Sequence, residues 1–114
     1  MAYIKRYCGN YILEINGNII KEYCGKYLYE ITSNGYVKEY CGSYIYEIRG
    51  DMIKRYCGNY LLEVRGNQVK RYCGNYIAEV RDKYIKEYCG SYLYEIVGFV
   101  SHEQLMALLA ILFA

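Results

Sequence analysis

A chain of 114 residues with a formal net charge of +2 has room for one domain, spanning 1–114, and too little charge to hold a nucleic acid by electrostatics. Its Lys and Arg are spread evenly instead of forming a patch, which excludes a nucleic-acid partner a second time. Tyr is abundant at 18 residues while Trp and Pro are absent, a composition that favours strands and lacks the usual strand breaker.

The opening Met1-Ala2-Tyr3-Ile4-Lys5-Arg6 reaches its charges before any apolar stretch, so no signal peptide is expected and the location is read as cytoplasmic. From Tyr3 onward the chain repeats. Cys8, Cys24, Cys41, Cys57, Cys73 and Cys89 are spaced 16, 17, 16, 16 and 16 residues apart, the one longer gap holding the extra residue of Thr32-Ser33-Asn34-Gly35. Five positions are identical in all six copies. Lys precedes each Cys by three (Lys5, Lys21, Lys38, Lys54, Lys70, Lys86), and Tyr precedes it by one. Gly follows it (Gly9, Gly25, Gly42, Gly58, Gly74, Gly90), and Tyr comes three later. Glu comes six later (Glu14, Glu30, Glu47, Glu63, Glu79, Glu95).

Each unit reads as two strands of about six residues joined by tight turns. Gly9-Asn10, Gly42-Ser43, Gly58-Asn59, Gly74-Asn75 and Gly90-Ser91 suit the first central position of a type II′ turn, where φ is positive; Gly17-Asn18, Gly50-Asp51 and Gly66-Asn67 supply a second turn. With Gly9-Asn10 central, Cys8 faces Tyr11, Tyr7 faces Ile12, Lys5 faces Glu14 and Ile4 faces Ile15. The second turn sets Glu14 against Lys21 and Ile15 against Ile20, so a Lys–Glu ladder could run round the sheet. One face then carries Ile4, Arg6, Cys8, Tyr11, Leu13 and Ile15 with their repeats; being the more apolar, it is assigned to the interior. The charged ring on that face (Arg6, Glu22, Glu39, Arg55, Arg71, Glu87) is the difficulty, because burying charge is costly; at a mouth it would reach solvent.

After residues 1–98 the pattern breaks. Ser101-His102-Glu103-Gln104 is a capping-box signature with Ser101 as N-cap, and Leu105 to Ala114 contains no polar residue. A helix over 101–114 that is apolar on every side is buried on every side, and at about thirteen residues it falls short of the roughly twenty of a membrane span. Twelve strands closed into a barrel leave a hole of about one helix diameter. The expected fold is therefore mainly β: six tandem two-stranded hairpins forming a closed 12-stranded antiparallel, pseudo-six-fold barrel, plugged by the C-terminal helix.

The repeat Ile-Lys-x-Tyr-Cys-Gly-x-Tyr-Ile-x-Glu-Ile-x-Gly, over residues 3–97, resembles the hairpin units of bacterial beta-flower proteins, in which four or five Gly-centred hairpins surround a rotational axis. The resemblance implies a compact bacterial repeat domain and supplies no activity; this chain departs from it in having six units and a Cys before each Gly. The architecture is also similar to tubby and scramblase-like barrels with a central C-terminal helix, with no matching motif, and fold alone does not carry function.

The site readings follow from the symmetry. The cysteines are expected to be small buried hydrophobes in a reducing compartment, two strands apart and so beyond disulfide reach; the competing reading is a metal or redox role at one mouth. No Cys-x-x-Cys and a single His exclude zinc spacing, so no metal and no cofactor are expected. Six equivalent Lys–Glu sets read as structural, as do the loop glycines and Ser101. His102 is a surface residue near the cap, and no catalytic constellation is present. Tyr3, Tyr36 and Tyr84 are singled out as exposed contact residues. The chain is read as a non-enzymatic binding or structural module with an unknown protein or small-molecule partner, self-association included. A membrane-bound barrel or inserted tail is the alternative, and an enzyme ranks last.

Overall fold

The computed structural model describes residues 1–114. Twelve strands follow in order: β1 (Ala2–Arg6), β2 (Tyr11–Asn16), β3 (Ile19–Glu22), β4 (Tyr27–Ile31), β5 (Tyr36–Glu39), β6 (Tyr44–Arg49), β7 (Met52–Arg55), β8 (Tyr60–Arg65), β9 (Gln68–Arg71), β10 (Tyr76–Arg81), β11 (Tyr84–Glu87) and β12 (Tyr92–Val97). One helix, α1 (His102–Phe113), ends the chain. Each strand pairs antiparallel with its sequence neighbours, and β1 closes on β12 through Ile4↔Ile96 and Lys5↔Glu95. Closure removes both sheet edges, so no row of unpaired backbone groups is left to recruit another chain.

The two turn types close by different physics. At the second turn, Gly17, Gly50 and Gly66 have φ of 63°, 59° and 62°, and the two-residue loop sets Glu14↔Lys21 and Ile15↔Ile20 as the sequence suggests. The first turn corrects the expectation. Its positive φ belongs to the cysteines, between 53° and 57° in all six copies, and not to the glycines that follow. The loop is also longer: the Gly9 N–H donates to the Arg6 carbonyl and the Arg6 N–H to Asn10. Glycine is needed there for room. A Cβ on Gly9 would stand 3.1 Å from the Arg6 Cβ, and one on Gly25 would stand 2.9 Å from the Glu22 Cβ.

The longer loop changes the register. Tyr3 pairs with Glu14, Ile4 with Leu13 and Lys5 with Tyr11, leaving Ile12 as a bulge; the same shift recurs in the other five hairpins. Two residues then oppose one. Ile12 and Leu13 both pack on the core, while Tyr11 swings outward and is exposed. The expected pairings of Lys5 with Glu14 and Ile4 with Ile15, and the inward placement of Tyr11 and Cys8, are therefore wrong. A bulge bends its strand and strengthens the twist, and six of them help the sheet curl shut.

The interior is otherwise as expected. Ile4, Ile20, Val37, Ile53, Val69 and Ile85 are fully buried in one cluster with Met106, Ala107, Leu108, Leu109 and Ala110 of α1. Five consecutive helical residues cover every side of the helix at 100° each, so their complete burial requires protein all round it. The Cα envelope measures 36 × 34 × 17 Å, and twelve helical residues rise about 18 Å, so the helix matches the height of the barrel that surrounds it. Ser101 caps it with both capping-box bonds: its side chain accepts from the Gln104 N–H at 3.2 Å, and Gln104 accepts from the Ser101 N–H at 2.9 Å. Gln104 Nε2 then donates to the Gly17 carbonyl at 2.7 Å, fixing the helix start to the second-turn mouth.

Candidate functional site

Two surfaces result, one at each mouth. At the second-turn mouth the first helical turn meets loops on opposite sides: Glu103 with Ser33, His102 with Asp51, and Leu105 with Lys83 line shallow depressions there. His102 is exposed, as expected for a residue beside the cap. The opposite mouth carries the six Tyr-Cys-Gly loops and is the richer in chemistry.

On this loop face all six cysteines are free and exposed, which overturns their reading as buried hydrophobes. An L-residue in the left-handed region costs roughly 1–2 kcal/mol, and the chain bears that cost at all six cysteines, besides Asp82 at the opposite mouth. The cost falls on every L-residue alike and would vanish with glycine, so the backbone does not select the thiol; such an outlier points to a role.

Beneath the thiols runs a rim of paired tyrosines. The bulge that turns Tyr11 outward brings it to Tyr23, with ring centroids 5.1 Å apart. Equivalent pairs are Tyr27–Tyr40, Tyr44–Tyr56, Tyr60–Tyr72, Tyr76–Tyr88 and Tyr92–Tyr7, at 4.9 to 5.1 Å. One pair thus bridges each seam between hairpins and the circle is complete. Offset and edge contacts at this separation stabilise beyond their buried area. Tyr3, Tyr36 and Tyr84 lie one row further from the loops, each against a pair: Tyr3 on Tyr11 and Tyr23, Tyr36 on Tyr44 and Tyr56, Tyr84 on Tyr92 and Tyr7. They are half-buried. The exposed tyrosines are instead the twelve of the rim.

The thiols act on the rim electrostatically. The neighbouring cysteine, as thiolate, raises the phenol of Tyr7 above its ordinary value, and Tyr23, Tyr40, Tyr56 and Tyr88 are raised by Cys24, Cys41, Cys57 and Cys89 in the same way. Deprotonating the phenol would put two negative charges side by side.

Below the rim lies the Lys–Glu ladder, made across the second turn and not within the hairpin. Lys21–Glu14, Lys38–Glu30, Lys54–Glu47, Lys70–Glu63 and Lys86–Glu79 stand at 3.3 to 3.7 Å, and Lys5–Glu95 closes the circle at 3.7 Å. Glu47 is the most sheltered, held by Lys54 and by Arg49. Hydrogen bonding from Arg49, with Lys54 in support and burial opposing, keeps its carboxyl below the ordinary range; Arg81 does the same for Glu79.

Inside the rim, Arg6, Glu22, Glu39, Arg55, Arg71 and Glu87 end the odd-numbered strands, all exposed. The burial problem they posed is solved by position: Arg6 pairs with Tyr94, Glu39 with Tyr29 and Arg55 with Tyr46 at the very edge of the lumen. Tyr29, Tyr46 and Tyr94 pack partly on the core, and burial raises the Tyr46 phenol, with Tyr29 adding to the shift. At the centre the helix ends in the half-buried Ile111, Leu112 and Phe113.

No protein-family model matches the chain, and neither does any curated protein or solved structure. No helix is long and apolar enough to cross a membrane, and no three His, Cys, Asp or Glu side chains converge to hold a metal ion.

Proposed function

We propose that this chain is a non-enzymatic interaction module, a rigid ring that engages a protein partner through its loop face. The observation that carries this reading is the set of six solvent-facing thiols, each held in a backbone conformation that costs stability, above a continuous rim of exposed tyrosines. Tyr supplies large, rigid contact area at low entropic cost and is over-used at interfaces. A catalytic centre, by contrast, needs a titrating group set apart in a pocket, whereas the raised phenols here line an open rim and recur in five of the six repeats. Six unpaired thiols fit a reducing compartment such as the cytoplasm.

The lipid-bound alternative is the weaker one. The apolar residues of α1 are spent on the interior of the barrel, and the outward face carries a charged ladder at mid-height where a membrane barrel needs an apolar band.

Photo-crosslinking tests the reading. A photoreactive phenylalanine at Tyr72, on the rim, captures a partner as one discrete adduct in cells, whereas the same group at Asn67, on the opposite mouth, captures none. Adducts at Asn67 and none at Tyr72 would refute the loop face as the contact surface. Turnover of any substrate that disappears on changing a single repeat would refute the non-enzymatic reading.

A further inference from the structure

We infer that the partner fitted by the loop face is a second copy of this chain, docked face to face about a two-fold axis; the inference rests on the reading of that face as the contact surface. The argument is one of charge and area. Taken round the mouth, the charges that end the odd-numbered strands run Arg6, Glu22, Glu39, Arg55, Arg71, Glu87; the exposed Lys26, in the second of the Tyr-Cys-Gly loops, is a further charge on this face, and the register that opposes Arg6 and Glu87 sets it against the uncharged Asn75. Facing two such rings reverses the order of one against the other. A six-fold ring has six ways to face its copy. One of them opposes unlike charges at every position: Arg6 on Glu87, Glu22 on Arg71 and Glu39 on Arg55, each made twice by symmetry. Each of the other five sets at least one pair of like charges together. A ring with three charges of each sign always possesses such a register; strict alternation would allow three, and the order found here allows one. The arrangement therefore specifies a single registration, as expected of an isologous interface, with like-charge repulsion acting against the rest.

The surface suits the role. A disc 36 × 34 Å across presents a face of about 960 Å², so two faces in contact bury up to about 1,900 Å², against roughly 1,600 Å² for a stable interface of standard size. Its layout is that of an interface: the half-buried Ile111, Leu112 and Phe113 at the centre, charges around them and exposed tyrosines at the rim. The registration also places Cys8 against Cys89 of the other copy, Cys24 against Cys73 and Cys41 against Cys57.

Sedimentation velocity of the purified full chain in reductant is the test. The chain should sediment as a dimer, more weakly in high salt. Glu22→Arg/Glu39→Arg/Glu87→Arg makes an all-positive ring, and Arg6→Glu/Arg55→Glu/Arg71→Glu an all-negative one. Every replacement is a residue that another repeat already holds at that place, so both variants should keep the native circular dichroism. Each alone should be monomeric, with the dimer constant weakened at least a hundredfold, and an equimolar mixture should recover the dimer. In a chain keeping only Cys24 and Cys73, which lie on opposite sides of one ring, a short bis-maleimide should join two copies, and with Cys24 alone it should not. A native chain that stays monomeric at several hundred micromolar, or single-sign rings as dimeric as the native one, would overturn the inference. A monomeric native chain whose Tyr72 adduct contains a different protein would leave the interaction reading standing while removing this one.

Discussion

Replacing all six loop cysteines with glycine should make this protein more stable, and replacing them with alanine should not. Each cysteine sits at a φ between 53° and 57°, where an L-side chain costs roughly 1–2 kcal/mol. Glycine relieves that strain and gives back about 0.5–1 kcal/mol through the greater freedom of its unfolded chain. The net gain is about 0.5–1 kcal/mol per loop. Successive loops lie two strands, or about 9.6 Å, apart, far enough for the gains to add. Six loops therefore yield about 3–6 kcal/mol and raise Tm by roughly 12–25 °C for a domain near one hundred residues. Alanine keeps the Cβ and the strain, so it isolates the thiol from the backbone. Urea and thermal unfolding of the three proteins, followed by circular dichroism in reductant, measures the difference. A six-glycine variant no more stable than the six-alanine variant would refute the strain argument.

Other outcomes follow from the same contacts. Leu109→Ala, in the fully buried stretch of α1, should cost about 2–5 kcal/mol in urea unfolding. Gly58→Ala should cost about 1–3 kcal/mol, because its Cβ would lie 3.0 Å from the Arg55 Cβ and the backbone must move. Ser101→Ala removes the N-cap acceptor and should cost about 1 kcal/mol. Glu47 and Glu79 have carboxyls held below the ordinary value. Their contribution is complete above the unfolded carboxylate range and is lost as pH falls through it and below. The urea midpoint should therefore drop with acid in that window, and Glu47→Gln should flatten the drop.

The sequence made the architecture legible where a residue can do only one thing. Gly17-Asn18 admits a single hairpin loop, and from it the Glu14–Lys21 register follows. A wholly apolar segment behind a capping box has to be enclosed, and twelve short strands of matching height are what can enclose it. The loop face is not legible in the same way, because the glycine after each cysteine has two possible uses. Glycine is the usual residue at positive φ, which points to Gly9 for that angle; its actual task is to lie against the Arg6 Cβ, and the cysteine takes the strained angle. The bulge left a trace that strict alternation obscures. Ile12-Leu13, Leu28-Tyr29 and Leu61-Leu62 put two apolar or aromatic residues side by side in a strand otherwise of period two, which is what a two-against-one register requires. Read that way, Tyr11 turns outward and the rim of tyrosine pairs follows. The charged ring was correctly placed on the inner face, and its order round the mouth became meaningful only once β1 was seen to meet β12.

Native-state hydrogen exchange tests the closed barrel and its enclosed helix most directly. The amides of Met106 to Ala110, together with the Tyr7 N–H that bonds the Leu93 carbonyl across the closing seam at 2.9 Å, should exchange only through global unfolding, at the free energy given by urea denaturation. Fast exchange at those amides, with β5 to β8 still protected, would mean that the sheet is open and the helix lies outside it.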